Sequence, residues 1–243
     1  KGVAFQTKAR TVDHLGREQI ADCPTAISEL WKNAFDAYAR NVELNIYDGQ
    51  EPAAVISDDG HGMSHDEFMN RWLVVGTESK ATTEKTPIKD RNGLKIRTRQ
   101  GQKGIGRLSC ANLGPILLLV SKRSEHAFVS ALVDWRLFEN PFINLADIFI
   151  PTIEFTNKEE LFTQLPDLIA GLSENISGGL SEDIVSTAEG ARKTRLHQAW
   201  AAYDELYQRE HKAGISNMLQ APSKEILSSI SHSHSPWEIK KPP

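Results

Sequence analysis

Apolar residues recur along the chain with two different periods, and the change from one to the other marks its elements. From Pro24 the spacing is helical, with Ile27, Leu30, Ala34 and Ala37 on one stripe. Proline suits the first turn of a helix, where its missing N–H is not needed, and Asp22 or Cys23 stands before it as a cap. Glu29, Asn33 and Asp36 fall at i, i+4 and i+7, so a second face of the same helix carries two carboxylates and an amide. The period then drops to two. Val42 to Tyr47 alternates as a half-buried strand, and Ala53 to Ser57 reads as a more fully buried one beyond a turn at Asp48-Gly49.

Ser64 with Asp66-Glu67 opens a further helix, expected to run through Phe68 and Trp72 to about Val75. From Gly76 to Gly101 no apolar period survives, while Lys80, Lys85, Lys89, Arg91, Lys95, Arg97 and Arg99 accumulate. That composition predicts a mobile loop, and its length favours a functional role over mere connection. Leu108 to Leu113 reads as a short helix, and Pro115 to Ser121 and Ala127 to Asp134 as strands. The residues before the first helix, about Thr7 to Gly16, fit either a short strand or an N-terminal arm.

The resulting pattern is an α+β sandwich, with helices on one face of a mixed sheet. Beyond Lys158 the character changes to helix, over Glu159 to Leu172 and Glu182 to Lys212, the second with Leu196, Trp200, Tyr203, Leu206 and Tyr207 along one face. That face reads as core or as a helical pair packed on itself, with a partner surface as the alternative. The tail after Pro222 is read as polar loop, and the Ser-His alternation at His232 and His234 as solvated chain rather than a metal site. Two units are expected, residues 1–157 and a helical segment or insertion over 158–243.

Composition narrows the class. The 243 residues, 40% hydrophobic and 25% charged, are those of an ordinary soluble domain large enough for one substantial core. No apolar run approaches a bilayer-spanning length and the first residues lack a secretion signal, so a cytoplasmic location and no membrane partner are expected. Cys23 and Cys110 stand far apart without partners at metal-ligand spacing, which supports neither a zinc site nor a disulfide framework. A net charge of -4 gives no global drive toward nucleic acid. A start at Lys1 rather than Met suggests a fragment of a longer protein.

Three blocks carry candidate chemistry. On the helix face, the Asn33 amide oxygen can fill one position in a Mg²⁺ octahedron whose other ligands are phosphates and waters. Glu29, one turn earlier, can orient or deprotonate an attacking water, and Asp36 either supports Asn33 or touches the nucleotide side of the helix. A polar helix face is also the ordinary solvated side of an amphipathic helix. The second block, Asp58-Asp-Gly60-His-Gly62-Met63, closes a strand with turn chemistry. An ionised Asp58 would accept from an exocyclic amine and so separate adenine from guanine, which presents a carbonyl at that place. Met63 would supply a soft contact to the base. Asp59 and His61 read as exposed turn residues. The third block, Gly101-Gln102-Lys103-Gly104-Ile105-Gly106, leads into a helix, where backbone N–H groups converge on phosphate oxygens. Lys103 and Arg107 add positive charge for a triphosphate.

The order and spacing of these blocks resemble the GHKL superfamily of ATPases, which includes DNA gyrase B subunits, heat-shock ninety-type chaperones, histidine kinases, MutL and MORC proteins. The resemblance covers about Thr7 to Lys122 and implies a Bergerat-type ATP-binding fold with ATP and Mg²⁺ as ligands. It implies Glu29 as catalytic residue, Asn33 as metal ligand, and Asp36, Asp58, Gly60, Gly62, Met63, Gln102, Lys103, Gly104, Ile105 and Gly106 as nucleotide contacts. Gly76-Thr77-Glu78-Ser79-Lys80 resembles the start of the lid in MORC-like and chaperone-like members, adding Thr77 and Lys80; the basic segment reads equally as a solvated charge run. Two features depart from the family pattern. No late Gly-Thr pair is found, so the closing strand lies beyond Pro243 or is disguised, and no transducer domain is recognisable.

The resemblance implies a nucleotide-driven conformational or dimerisation switch with slow Mg-dependent ATP hydrolysis, acting on a protein or DNA partner. The alternatives are an interaction module that senses ATP without turning it over and a histidine-kinase-type phosphotransferase. The kinase reading would call for a phosphoacceptor-histidine hairpin ahead of the domain, where only a short segment stands.

Overall fold

The first core helix begins where its sequence provides a cap. In the computed structural model, which describes residues 6–18, 20, 22–48, 52–74, 86–101, 106–178, 188–215, 219 and 221–232, the Asp22 carboxylate accepts from the Thr25 N–H at 2.8 Å and Pro24 occupies the first turn of α2 (Cys23–Asp36). Ala26 and Ala34 are its buried positions, small enough to let the helix lie close to its neighbours. At its other end Tyr38 turns out at φ 60°, and the Arg97 Nη1 donates to the carbonyls of Phe35 and Ala39 at 3.0 and 2.9 Å. A cation thus satisfies the acceptors that the last turn leaves without partners.

Strand β1 (Val42–Tyr47) pairs antiparallel with β2 (Ala53–Asp58), Val42 opposite Asp58, so Asp58 is delivered beside the end of α2. Ser64 then forms a capping box with Glu67 around α3 (His65–Glu67), and the chain continues as a wider π turn over Phe68–Trp72 rather than the longer α-helix that the apolar spacing predicts. A 3-10 turn over Gly106–Asn112 leads into β3 (Ile116–Lys122), which forms an antiparallel hairpin with β4 (Phe128–Asp134). Strand β5 (Thr152–Phe155) adds to the other side of β4. The expected α+β architecture is present, its described strands arranged in two antiparallel sheets.

The C-terminal helices α4 (Lys158–Ser177), α5 (Ala188–Lys212) and α6 (Ser223–His232) share one core with the second sheet: α4 lies on β4 and β5, and Leu165, Leu168, Leu172, Leu196, Trp200 and Tyr203 are buried with Leu132 and Val133. The Trp200 face is therefore core. Two local readings need correcting, and one strand is additional. The segment after Pro222, read as loop, begins with α6, whose Ile226 and Ile230 are fully buried at i and i+4. The N-terminal block, which fits a short strand or an arm by sequence, contains a short helix, α1 (Arg10–Asp13), with a π turn after it. Strand β5 has no counterpart among the predicted elements.

Candidate functional site

Helix α2 organises the site. Glu29 and Asn33 stand on the face against which the 3-10 turn begins: a Cβ built on Gly106 would lie 2.9 Å from Glu29 Oε2 and 3.8 Å from Asn33 Nδ2. Glycine lets the turn approach the two side chains this closely, and a Cβ there would have to push the flexible end of Glu29 aside. The other Glu29 oxygen, Oε1, accepts from Lys32 Nζ at 2.7 Å. One turn beyond Asn33, the Asp36 carboxylate accepts from the backbone N–H groups of Gln100 and Gly101 at 2.8 and 3.0 Å. Gly101 and Gly106, the two ends of the glycine-rich segment, are thus held on the same face of one helix, and Ser109 Oγ donates to Ala26 O at 3.3 Å to fix the turn that follows.

The Asp58 turn docks on the end of α2. Asp58 is exposed at the end of β2 and its Oδ1 accepts from Gly60 N at 2.9 Å. His61 N donates to Ala37 O at 2.8 Å, and a Cβ on Gly60 would lie 2.8 Å from the Ala37 Cβ. Gly62 adopts φ +62° against the last residue of β3, while Met63 N donates to Ser121 Oγ at 2.9 Å and the Met63 side chain packs on the small cluster of Phe68, Val129 and Ala131. Asp59 is exposed, as expected of a turn residue, but its carboxylate accepts from the N–H groups of Arg40 and Asn41 and from the Asn41 amide. Those bonds, the Asn41 backbone first, hold its pKa below the usual aspartate value.

Residues 86–101 differ from the mobile loop that their composition predicts. Asn92, at φ 51°, donates to Asp59 O at 2.7 Å and accepts from Arg40 Nε at 2.9 Å; Asp90 pairs with Arg123 at 2.6 Å; Arg97 lies 4.3 Å above the Phe35 ring. These contacts strap the segment across the end of α2 and the Asp58 turn. Arg123 adds a bond to Glu67 at 3.1 Å, tying the strap to the α3 capping box. Asn92 and Arg123 carry no expectation from the sequence and Arg97 enters there only as one cation of a basic run; the Asn92-Gly93 dipeptide was the available signal for a fixed turn.

Arg107, read as charge for a triphosphate, instead donates through Nη1 to Arg71 O at 2.9 Å and through Nη2 to Val74 O. Its partial burial lowers its pKa from the usual arginine value. Thr77, Lys80, Gln102, Lys103, Gly104 and Ile105 lie outside the described residues. Among the described residues no three His, Cys, Asp or Glu side chains converge as a metal site, and no helix is long and apolar enough to cross a membrane. The arrangement is one helix face with a carboxylate and an amide, Gly101 and Gly106 beside them, and an exposed carboxylate on a turn with close backbone approach.

A family model described as histidine kinase-, DNA gyrase B-, and HSP90-like ATPase matches residues 22–160, from the cap of α2 into the first turn of α4. The comparison with curated proteins gave no match.

Proposed function

Because the chain belongs to the histidine kinase-, DNA gyrase B- and HSP90-like ATPase family, and so contains an ATP-binding domain, we propose that it hydrolyses ATP slowly with Mg²⁺ and acts as a nucleotide-driven switch. Asp58 accepts the adenine amine, with Gly60, Gly62 and Met63 forming the base wall. Gln102, Lys103, Gly104, Ile105 and Gly106 receive the phosphates through the loop, and Thr77 and Lys80 add contacts from the preceding segment. Bound Mg²⁺ would neutralise phosphate charge, with Asn33 as its protein ligand. Glu29 orients and deprotonates the water, and Asp36 positions the loop through the Gln100 and Gly101 amides.

The observation that carries this reading is the attachment of both ends of the glycine segment to the α2 face bearing Glu29 and Asn33. Glu at that position and the Gly-Gln-Lys-Gly-Ile-Gly loop favour the MORC-like and chaperone-like branches. In this scheme ATP favours a closed, dimeric form and hydrolysis resets it. The test is a titration with ATP and GTP in the presence of Mg²⁺ on the wild type and Asp58→Asn. Adenine-selective binding lost in the variant supports the assignment; equal affinity for the two nucleotides overturns the role of Asp58.

A second reading, an ATP-sensing module without turnover, has its own support in the Lys32 Nζ that occupies Glu29 Oε1 at 2.7 Å. Multiple-turnover phosphate release separates the two. Release that Glu29→Ala abolishes without loss of ATP affinity supports hydrolysis, and its absence from the wild type supports sensing.

A further inference from the structure

By helical spacing, Trp31 and Phe35 lie on the opposite side of α2 from Glu29 and Asn33. They are 48% and 38% exposed, unusual for two aromatic rings one turn apart on a core helix. With Ala39, Arg40, Val42 and Arg97 they line an open groove of about 310 Å³. The Arg97 guanidinium stands over Phe35, and the strap continues on either side with exposed Lys89, Lys95 and Arg99. Residues 86–101 hold five cations and one carboxylate in a chain whose net charge is -4, so positive charge is segregated here. The neighbouring carboxylates are engaged: Asp90 by Arg123, Asp36 by the Gln100 and Gly101 amides, Asp59 by the Arg40 and Asn41 amides. Glu43, next to Val42, is the exposed acid on this edge.

We propose that this groove and the strap beside it bind single-stranded nucleic acid, a role separate from the nucleotide pocket on the other side of α2. Cations along an extended segment follow a phosphate backbone, and exposed rings offer stacking platforms that unpaired bases alone can reach. An acidic peptide would satisfy the cations but leaves the two rings without a role. Duplex DNA would satisfy the cations while keeping its base faces stacked away from Trp31.

The test is fluorescence anisotropy of a labelled oligothymidylate with the full chain across a salt series, on the wild type, Trp31→Ala and Lys89→Glu/Lys95→Glu. The expected results are binding that weakens steeply with salt and a preference over the matched duplex. Trp31→Ala should lose about fivefold or more in affinity, the scale of one stacked base. The double charge reversal should lose more than about tenfold and flatten the log–log salt slope by roughly 0.7 for each cation removed. ATP affinity, measured on the same samples, stays at the wild-type value in all three. No binding at low salt by wild type that still binds ATP overturns the proposal. So does binding indifferent to Trp31→Ala, and so does displacement by polyglutamate as effective as by unlabelled oligonucleotide, which would assign the face to an acidic protein. Loss of ATP binding by the wild type bears on the nucleotide reading alone and leaves the anisotropy result to be judged by itself.

Discussion

Replacing Gly62 by alanine tests the packing that sets the Asp58 turn against the sheet. Gly62 sits at φ +62°, where a side chain costs about 1–2 kcal/mol. The larger effect is steric, because the added Cβ would lie 1.9 Å from Lys122 O and 2.7 Å from Lys122 C. Both atoms are backbone, held in β3 by the Lys122–Phe128 pairing, so no rotamer change relieves the overlap. The turn must instead retreat by roughly 1.5 Å, an overpacking strain of about 1–3 kcal/mol. That movement also breaks the Met63 N to Ser121 Oγ bond, worth about 0.5–1.5 kcal/mol. Together these predict a loss of roughly 2.5–6.5 kcal/mol, a large share of a domain's usual stability. Urea unfolding followed by tryptophan fluorescence measures it. Gly114→Ala is the control, since a Cβ there meets nothing within 4 Å and the variant should be neutral or slightly stabilised by about 0.4–1 kcal/mol. If the two variants unfold within about 1 kcal/mol of each other, the close approach of the turn to β3 is refuted.

The remaining predictions concern the loop anchors and acid sensitivity. Asp36→Ala removes the acceptor of two backbone N–H groups and should cost about 1–3 kcal/mol, with weaker ATP binding in a calorimetric titration; Asp36→Asn, which keeps one acceptor oxygen, should fall between, and unchanged ATP affinity in both would mean that the loop does not depend on this anchor. Gly106→Ala places a Cβ against the mobile end of Glu29, which can swing aside, so urea stability should stay near wild type while phosphate release falls more than ATP affinity; equal losses in both would count against Glu29 as the catalytic group. Asp147 is held below the usual aspartate pKa, first by its hydrogen bonds from Arg195 at 2.6 and 2.9 Å. Its folded pKa is depressed, so its contribution is complete above the unfolded value near pH 4 and is lost as pH falls through the folded one. The urea midpoint of Asp147→Asn should therefore drop less than that of wild type between about pH 5 and pH 2, and parallel curves would contradict the assignment.

The parts of the fold legible in the sequence are those built from local rules. The cap and proline at the start of α2, the two-residue alternation of Val42 to Tyr47 and the Asp58-x-Gly60-x-Gly62 turn each depend on neighbours a few residues away. The strap depends on distant ones. Arg97 reaches the Phe35 and Ala39 carbonyls across 62 and 58 residues, and Asp90 finds Arg123 across 33, so beyond the Asn92-Gly93 turn a basic, aperiodic stretch gave no sign of being fixed. Arg107 stands beside the glycine loop in sequence, yet its partners are the carbonyls of Arg71 and Val74 at the end of the Phe68–Trp72 turn, which its place in the chain does not announce. Helix α6 shows an apolar pair, Ile226 and Ile230, in a Ser-rich frame, and its burial comes from packing with α4, which no local pattern contains. Strand β5, at four residues, is too short to display a period and is set by pairing with β4.

One consequence of this arrangement is that α2 is common to every candidate ligand surface. Its inner face holds Glu29, Asn33 and both ends of the glycine segment, its C-terminal end carries the Asp58 turn, and its outer face lines the aromatic groove. The strap joins two of these directly, since Arg97 lies on Phe35 at the groove while Gln100 and Gly101, three and four residues later, donate to Asp36 beside the loop. A ligand in the groove that shifts Arg97 therefore acts on the loop through three residues of chain. Such coupling is reciprocal by thermodynamic necessity: whatever factor an oligonucleotide imposes on ATP affinity, ATP imposes on the oligonucleotide. Asp36→Ala cuts the path without touching the groove. It should leave oligonucleotide affinity in the absence of ATP intact and reduce the reciprocal factor toward one, whereas a coupling that survives the substitution would place the connection elsewhere than in the strap.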